Sequence, residues 1–293
     1  NRENVKIFLD EEELLKPLKW KRPRRIFVES MSDWCATFVS DEMRDRIPAV
    51  AALCPQHTFL FLTKRADRCA EYFSKDRPLT SVEIDVMAQA AHTGKVVWDS
   101  RGSDRYKYFG CGQIGDISNR RPWPGFPLPN MLLGFSAETQ EYFDERWSHM
   151  RRLAAAGWKV WVSAEPLLSD IDMREALWPG ICEHCGHSGP CEHRGVLQQV
   201  VVGGESGHGA RPMNIDWVRS IVGQCADAGV ACFVKQMGAK PVRHMGINGA
   251  LELQRFAGTP IDREYPLKLR NKKGSDMSEW PEDLRVRQFP EAR

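Results

Sequence analysis

Residues 131–165, which decide the fold, read MLLGFSAETQEYFDERWSHMRRLAAAGWKVWVSAE. Two apolar runs, Met131–Ser136 and Lys159–Ser163, flank a helical segment, Thr139–Ala155, which Gly157 is suited to end. Hydrophobicity in both runs is continuous rather than alternating, which is typical of strands buried on both faces of a parallel sheet. The stretch therefore predicts a strand–helix–strand unit of an α/β protein.

The same pattern recurs along the chain on both sides of this unit. Further strands are predicted at Arg25–Glu29, Thr58–Thr63, Gln199–Val202 and Ala231–Lys235. Further helices are predicted at Ser40–Leu53, Lys64–Phe73 and Asn214–Ala228. Six strands separated by helices favour a (β/α) partial barrel, with a doubly wound sheet as the alternative.

Two insertions interrupt this alternation and divide the chain. The first, 76–129, contains a predicted helix over 81–91 and a Gly/Pro/aromatic tract typical of a lid or binding element. The second, 173–196, carries clustered cysteines. We expect a barrel domain over 1–238 and a C-terminal extension over 239–293 that packs on it.

Composition limits the class of protein. The 293 residues include 41 Lys and Arg against 39 Asp and Glu, a formal net charge of +2. Hydrophobic residues make up 42%, enough for a sizeable core, which excludes a disordered, collagen-like or coiled-coil chain. No run approaches the roughly 18 apolar residues of a membrane span, and the acidic run Asp10–Glu13 excludes a signal peptide. The odd count of nine cysteines is not that of a disulfide scaffold, so we expect a cytoplasmic protein with no membrane partner.

Polar residues follow nearly every predicted strand at its carboxyl end, where (β/α) folds bind ligands. Glutamates lie at the ends of three predicted strands, and cationic residues lie at the ends of two others: Glu138, Glu165 and Glu205, with Lys64, Arg65 and Lys235. A single such residue is usually a helix cap, but six of them favour a binding site. The tract GGESGHGARP at 203–212 is no P-loop. It predicts a ligand-contacting loop with Arg211 facing an anion, the alternative being a flexible connection.

No Ser/His/Asp set and no G-x-S-x-G occur, which disfavours a nucleophilic hydrolase. The second insertion instead predicts a metal site, since C-x2-C followed by C-x-H supplies four ligands within twelve residues. The expected ligands of a structural zinc are Cys182, Cys185, Cys191 and His193, with His184 or His187 as substitutes. The alternative is a metal-free, reduced loop over 182–193.

Six segments at strand ends together resemble a known family: 23–33, 55–65, 128–138, 162–172, 200–213 and 233–238. The chain resembles a phage-associated family of unknown function that is related to radical S-adenosylmethionine (SAM) enzymes. The resemblance implies a partial barrel of the radical SAM type. Members begin with a strand and a C-x6-C-x2-C motif for a [4Fe–4S] cluster, but this spacing does not occur here. We therefore expect the first strand and the cluster ligands to lie upstream of Asn1.

The resemblance also implies a function, namely a radical SAM-like enzyme of unknown substrate with SAM and a [4Fe–4S] cluster as cofactors. By position, Ser136 and Glu138 would bind the SAM ribose or amino group. The methionine moiety or substrate would be held by Glu165, Gly203, Gly204 and Glu205. Lys64, Arg65, Arg211, Lys235 and Gln236 would bind an anionic substrate, which the phage context of the family suggests is a nucleotide or nucleic acid.

Two other classes compete with this enzyme. A non-catalytic, zinc-containing nucleic-acid-binding protein would use the basic patches Lys19–Arg22 and Arg120–Trp123 as its contact surface. Such patches are more often solvated faces beside a packed aromatic residue. A metal-free lyase or aldolase would form a Schiff base on Lys235, which borohydride trapping would detect.

Overall fold

The structure is a computed structural model that describes residues 7–29, 31–74, 96–98, 106–110, 113–116, 127–178, 196–244 and 264–290. The strands in chain order are Arg25–Phe27 (β1), Thr58–Thr63 (β2), Val96–Trp98 (β3), Tyr106–Gly110 (β4), Gln113–Asp116 (β5), Met131–Ser136 (β6), Lys159–Ala164 (β7), Leu197–Gly203 (β8), Met213–Asn214 (β9), Ala231–Gln236 (β10), Pro241–His244 (β11) and Glu264–Pro266 (β12). The helices are Glu11–Leu15 (α1), Asp41–Leu53 (α2), Ala66–Ser74 (α3), Gln140–Ala155 (α4), Arg174–Leu177 (α5) and Ile215–Ala228 (α6). Short 3₁₀ turns lie at Lys16–Lys19, Met277–Glu279 and Glu282–Leu284.

Six strands form one parallel sheet in the order β1-β2-β6-β7-β8-β10. The order follows the chain without reversal, as in a (β/α) barrel, whereas a doubly wound sheet reverses at a switch point. All six strands predicted from apolar runs are confirmed, and the sheet has the topology of a half barrel. The mixed α/β class and the partial barrel are therefore correct.

Local sequence explains where the connecting helices begin and end. The Ser40 side chain accepts a hydrogen bond from the Met43 amide and caps α2, and Asn214 caps α6 through the Asp216 amide. Helix α6 ends at Gly229, whose φ of 66° lies in the left-handed region that favours glycine. The predicted helices at Ser40–Leu53, Thr139–Ala155 and Asn214–Ala228 are thus confirmed within a residue or two.

Burial differs between the strands of the sheet. Every residue of β6 is buried, and β7 is buried from its second residue onward. Strand β2 instead alternates between buried and half-buried residues. Continuous hydrophobicity therefore reports burial on both faces in β6 and β7, as a parallel sheet requires.

The chain divides into two compact units. Unit 1 comprises 1–133 and 156–159, and unit 2 comprises 134–155 and 160–293. The core of unit 1 centres on Trp34, whose ring lies 5.2 Å from Phe61 and stacks on Phe73 at 5.4 Å. The core of unit 2 includes Phe135, which is fully buried and lies 5.9 Å from the ring of Phe143.

The C-terminal segment packs on the edge strand β10 within unit 2. The Val234 amide donates to the Val286 carbonyl, and the Gln288 amide donates to the Cys232 carbonyl. The buried Trp280 indole donates to the Gly274 carbonyl at 2.9 Å. Backbone groups at the edge of β10 are thereby paired rather than exposed.

The insertions are described only in part. Within 76–129, strands β3, β4 and β5 form an antiparallel sheet that the sequence did not predict. The predicted helix over 81–91 and the predicted zinc site over 182–193 lie outside the described residues. In the part of the chain that the structure describes, no helix has the length and apolar character to cross a membrane.

Candidate functional site

One ion pair in unit 2 joins the residue that follows β7 to a residue near the end of β10. Glu165 follows β7 directly, and its Oε1 lies 3.1 Å from Nζ of Lys235 near the end of β10. The Ser163 hydroxyl donates to the other carboxylate oxygen at 3.0 Å. A Cβ on Gly203 would lie 3.0 Å from Oε1, a tight contact that Gly203 avoids. The carboxylate of Glu165 is thus held between three strand ends.

A second ion pair lies within the loop that follows β8. Arg211 donates to Glu205 from Nε at 2.8 Å and from Nη2 at 3.1 Å, and its backbone amide donates at 3.0 Å. These hydrogen bonds from Arg211 lower the pKa of Glu205 to about 2, so the carboxylate is ionised at neutral pH. Gly207 and Gly209, with φ of 108° and 78°, let the loop turn back over this pair.

A third pair is buried. Nη1 of Arg146 on α4 donates to Oε2 of Glu138 at 3.0 Å and to the Ser136 carbonyl at 2.8 Å. The two side chains are only 10% and 8% exposed, so neither charge is compensated mainly by water. The Glu138 carboxylate also contributes to raising the pKa of Arg211, after the larger effect of Glu205. The buried pair thus joins α4 to the end of β6.

The two glycines that begin the GGESGHG tract are needed for backbone packing. A Cβ on Gly204 would lie 2.4 Å from the Met237 carbonyl oxygen. The Gly204 amide donates to the Gln236 carbonyl, and the Gln236 side-chain amide donates to the Gly204 carbonyl at 2.9 Å. The ends of β8 and β10 are thus held together by close packing and hydrogen bonds at Gly203, Gly204 and Gln236.

The cations predicted on β2 lie in unit 1 and are organised by Asp33, from the loop after β1. Oδ2 of Asp33 accepts from the Lys64 amide at 3.1 Å and from Nη1 of Arg65 at 2.7 Å. Its Oδ1 accepts from the Thr63 hydroxyl at 2.7 Å and the Cys35 amide at 2.9 Å. Asp33 therefore fixes the end of β2 and directs the half-exposed Arg65.

Glu29 in the same loop has an unusual backbone conformation. Its φ of 55° lies in the left-handed region, which is uncommon for a residue other than glycine. Burial raises the pKa of its carboxyl group and Asp33 adds to the effect, while a hydrogen bond from Ser32 opposes it. Strained residues with shifted pKa values are concentrated at functional sites, so Glu29 is an additional candidate.

A surface cavity of about 170 Å³ in unit 1 is lined by Asp41, Arg44, Arg68, Glu71 and Tyr72. The Arg44 guanidinium there donates to the backbone carbonyls of Trp34, Ala36 and Val39. Arg68 donates to the Cys35 carbonyl at 2.8 Å. These arginines hold the loop between β1 and α2, and none of the predicted site residues lines this cavity.

The structure places all the predicted strand-end residues and adds three contacting residues that the sequence did not predict. Unit 1 holds Lys64 and Arg65, and the other predicted binding residues lie in unit 2: Ser136, Glu138, Glu165, Gly203, Gly204, Glu205, Arg211, Lys235 and Gln236. Direct contacts join Glu165 to Lys235, Glu205 to Arg211 and Gly204 to Gln236. Sequence reasoning missed Arg146, Ser163 and Asp33. Arg146 lies eight residues after Glu138, which precedes α4, so no helical i, i+3 or i, i+4 spacing signalled that pair. No sequence signal distinguished Asp33 from its polar neighbours.

The predicted metal ligands Cys182, Cys185, Cys191 and His193 lie outside the described residues. Within the described ranges, no group of three Cys, His, Asp or Glu residues is placed to hold a metal ion. The described cysteines Cys35, Cys54, Cys69, Cys225 and Cys232 are all buried.

Fold and site together define a class: a (β/α) protein whose strand ends carry paired charges at the edge where such folds bind ligands. The sequence model of DUF5131, described as a protein of unknown function, matches residues 1–274. The chain therefore belongs to this family, which confirms the resemblance to a family of unknown function. Neither the curated proteins nor the solved structures include one that matches the chain.

Proposed function

We propose that this protein is a radical SAM-like enzyme that binds SAM at the strand ends of unit 2 and acts on a nucleotide or nucleic acid. The proposal is supported chiefly by the three carboxylate–cation pairs Glu138–Arg146, Glu165–Lys235 and Glu205–Arg211. SAM presents a carboxylate, an ammonium group, a sulfonium ion and a ribose diol. A site of paired charges suits such a zwitterion, because each ligand charge can exchange with one member of a pair.

Two of the pairs are accessible to a ligand. The Lys235 and Arg211 side chains are 56% and 54% exposed, whereas those of Glu138 and Arg146 are buried. Lys235 and Arg211 are therefore proposed to bind carboxylate or phosphate groups. Glu165 and Glu205 would then be released to accept from the ammonium group of the methionine moiety.

The buried pair is proposed to position the other end of SAM. Arg146 bonds both the Ser136 carbonyl and the Glu138 carboxylate, which holds the end of β6 against α4. Ser136 and Glu138 would offer the hydroxyl and carboxylate oxygens that a ribose diol or amino group needs. In unit 1, Lys64 and Arg65 are proposed to contact phosphate groups of a nucleotide substrate.

A [4Fe–4S] cluster does not fit the described residues. Cluster ligation takes closely placed thiolates, and the described cysteines form no such group with other metal ligands. The C-x6-C-x2-C spacing is also missing from the sequence. No reaction step is therefore assigned to a cluster held by these residues, and SAM binding is the part of the proposal to test first.

Isothermal titration calorimetry tests SAM binding directly. SAM is expected to bind the purified chain, and S-adenosylhomocysteine, which lacks the sulfonium charge, is expected to bind more weakly. Glu165→Gln should weaken SAM binding by about tenfold, the loss of one charge-assisted hydrogen bond. Asp283→Asn is the matched control, since Asp283 also pairs with a cationic side chain, that of Arg219 on α6. An absence of SAM binding at millimolar concentration would refute the proposal.

Catalysis needs a separate measurement. If the protein acquires a cluster on reconstitution without oxygen, it is expected to cleave SAM slowly to 5′-deoxyadenosine when reduced. An intact cluster without cleavage would contradict the radical reaction while leaving SAM binding unaffected.

A structural zinc at Cys182, Cys185, Cys191 and His193 is proposed from their spacing alone. Metal analysis of protein purified under reducing conditions should find one zinc per chain, which Cys185→Ser should release. The alternative function, a non-catalytic zinc-containing nucleic-acid-binding protein, is favoured by one described feature, an exposed basic segment of unit 1.

A further inference from the structure

Residues 19–25 of unit 1, KWKRPRR, form a cationic segment that the proposed SAM site does not use. The side chains of Lys19, Lys21, Arg22, Arg24 and Arg25 are all exposed. The sequence has no acidic residue between Leu14 and Val28 that could neutralise them locally. In the described part of the chain, none of Lys19, Lys21, Arg22 and Arg24 forms an ion pair. The segment is therefore a concentrated and largely uncompensated positive charge.

The backbone of this segment is nevertheless held firmly at two points. The Arg24 amide donates to Nδ1 of His57 at 3.2 Å, and the Thr58 amide donates to the Arg24 carbonyl at 2.8 Å. The Gln56 side chain donates to the Trp20 carbonyl at 3.4 Å. Residues 21–23 lie between these two attachments, so their cationic side chains project from a backbone that is already ordered.

His57 is the centre of this attachment. Because its Nδ1 accepts from the Arg24 amide, the ring proton is on Nε2, which lies 3.1 Å from the Pro17 carbonyl. The ring is buried and meets the Trp20 ring edge-on at 5.9 Å. The buried His57 ring therefore has a structural role, which is to hold the cationic segment in place.

Trp20 itself is covered by the segment. The Arg24 guanidinium lies 4.3 Å from the centroid of the Trp20 ring, a cation–π contact. A surface that inserts into lipid needs projecting apolar side chains, and Trp20 is the only large apolar residue in 19–25. The packed Trp20 therefore favours a soluble polyanion over a membrane surface.

We propose that residues 19–25 bind the phosphate backbone of a nucleic acid. Lysine and arginine side chains make most contacts to phosphate oxygens, and such contacts carry no sequence preference. An ordered backbone reduces the conformational entropy that is lost on binding. The segment ends at Arg25, the first residue of β1, whereas Asp33 and Arg65 follow the last residues of β1 and β2. This surface is thus distinct from the strand ends of unit 1, and the proposal does not depend on SAM binding.

Fluorescence anisotropy with labelled 20-nucleotide single-stranded and duplex DNA of random sequence tests the proposal. The wild-type chain is expected to bind both with Kd values of about 10⁻⁴ to 10⁻⁶ M at physiological salt, and more tightly at 50 mM salt. The double variant Lys21→Glu/Arg22→Glu should bind about tenfold more weakly or worse. Its salt dependence should also be shallower, by roughly one to two units in the slope of log K against log salt.

The matched control reverses two other adjacent exposed cations, Lys272→Glu/Lys273→Glu, and so changes the net charge equally. It should retain wild-type affinity, and both variants should keep the wild-type melting temperature by circular dichroism. Failure of the wild type to bind DNA at 50 mM salt would overturn the proposal. So would equal losses in the two double variants, or binding to phosphatidylserine vesicles in preference to DNA.

Discussion

The strand ends of unit 2 and the segment 19–25 of unit 1 use the same kinds of side chain in opposite ways. At the strand ends, Arg146, Lys235 and Arg211 each pair with a glutamate. In the segment, four exposed cations form no ion pair with any described residue. The net charge of +2 for the whole chain conceals this contrast.

The difference shows how charge placement separates two kinds of recognition. A balanced set of pairs generates little field at a distance, so it suits a small zwitterion that enters and exchanges partners. Uncompensated cations in water attract an extended polyanion and release its counterions. The first arrangement depends on exact packing, and the second depends mainly on exposure, which makes the two regions respond differently to mutation.

The largest loss of stability is expected from Arg146→Met. The variant leaves the buried Glu138 carboxylate without its Arg146 partner, which should lower the free energy of unfolding by about 3–5 kcal/mol. Urea denaturation followed by circular dichroism measures the loss. Arg219→Met is the control, because its pairs with Asp216 and Asp283 are partly exposed, and it should cost about 1 kcal/mol or less. Equal losses in the two variants would show that burial does not distinguish the pairs.

A smaller effect is expected from Gly204→Ala. The new Cβ would lie 2.4 Å from the Met237 carbonyl oxygen, a backbone atom that cannot rotate away. Overpacking of this kind costs about 1–3 kcal/mol, measurable as a lower melting temperature. In Gly223→Ala on α6 the Cβ meets nothing within 4 Å, so that variant should be slightly stabilised by helix propensity. A tolerated Gly204→Ala would mean that the ends of β8 and β10 are not closely packed.

A still smaller change in stability is expected when acid protonates Glu205 in the Glu205–Arg211 pair. The pKa of Glu205 is lowered from 4.5 to about 2, so the stability that the pair contributes is present above pH 4.5 and is lost as pH falls toward 2. Melting temperatures of wild type and Glu205→Gln should therefore converge over this range. A difference that stays constant from pH 6 to pH 3 would contradict the shift.

Essentially no change in stability is expected when the segment 19–25 loses charge. Lys21→Ala/Arg22→Ala should unfold within about 0.5 kcal/mol of wild type, because the side chains are exposed and make no contact that folding requires. Urea denaturation provides the comparison with Arg146→Met. A loss of stability as large as that of Arg146→Met would remove the distinction between the two regions.

The sequence predicted those residues of the candidate site that closely follow a strand. Glu138, Glu165 and Glu205 follow apolar runs, and parallel strands place their carboxyl ends at one edge of a sheet. Their pairing was harder to predict. Arg146 was not a candidate because it reaches Glu138 from a helix, and Arg211, which was expected to face an anionic group, pairs with Glu205 from the same loop. Likewise, the role of Asp33 depends on contacts with residues that lie about thirty positions away in sequence.

By itself, the sequence determined the six-strand α/β pattern, the capped helices and the residues at the strand ends. These features are local, since hydrophobic periodicity and capping act over a few residues. Only the tertiary structure decided which charges are paired and which remain exposed. Ion pairing is a matter of distances between side chains from separate elements, as in Glu165 with Lys235. Burial then decides the energetic consequence, because a charge removed from water needs its partner and an exposed one does not.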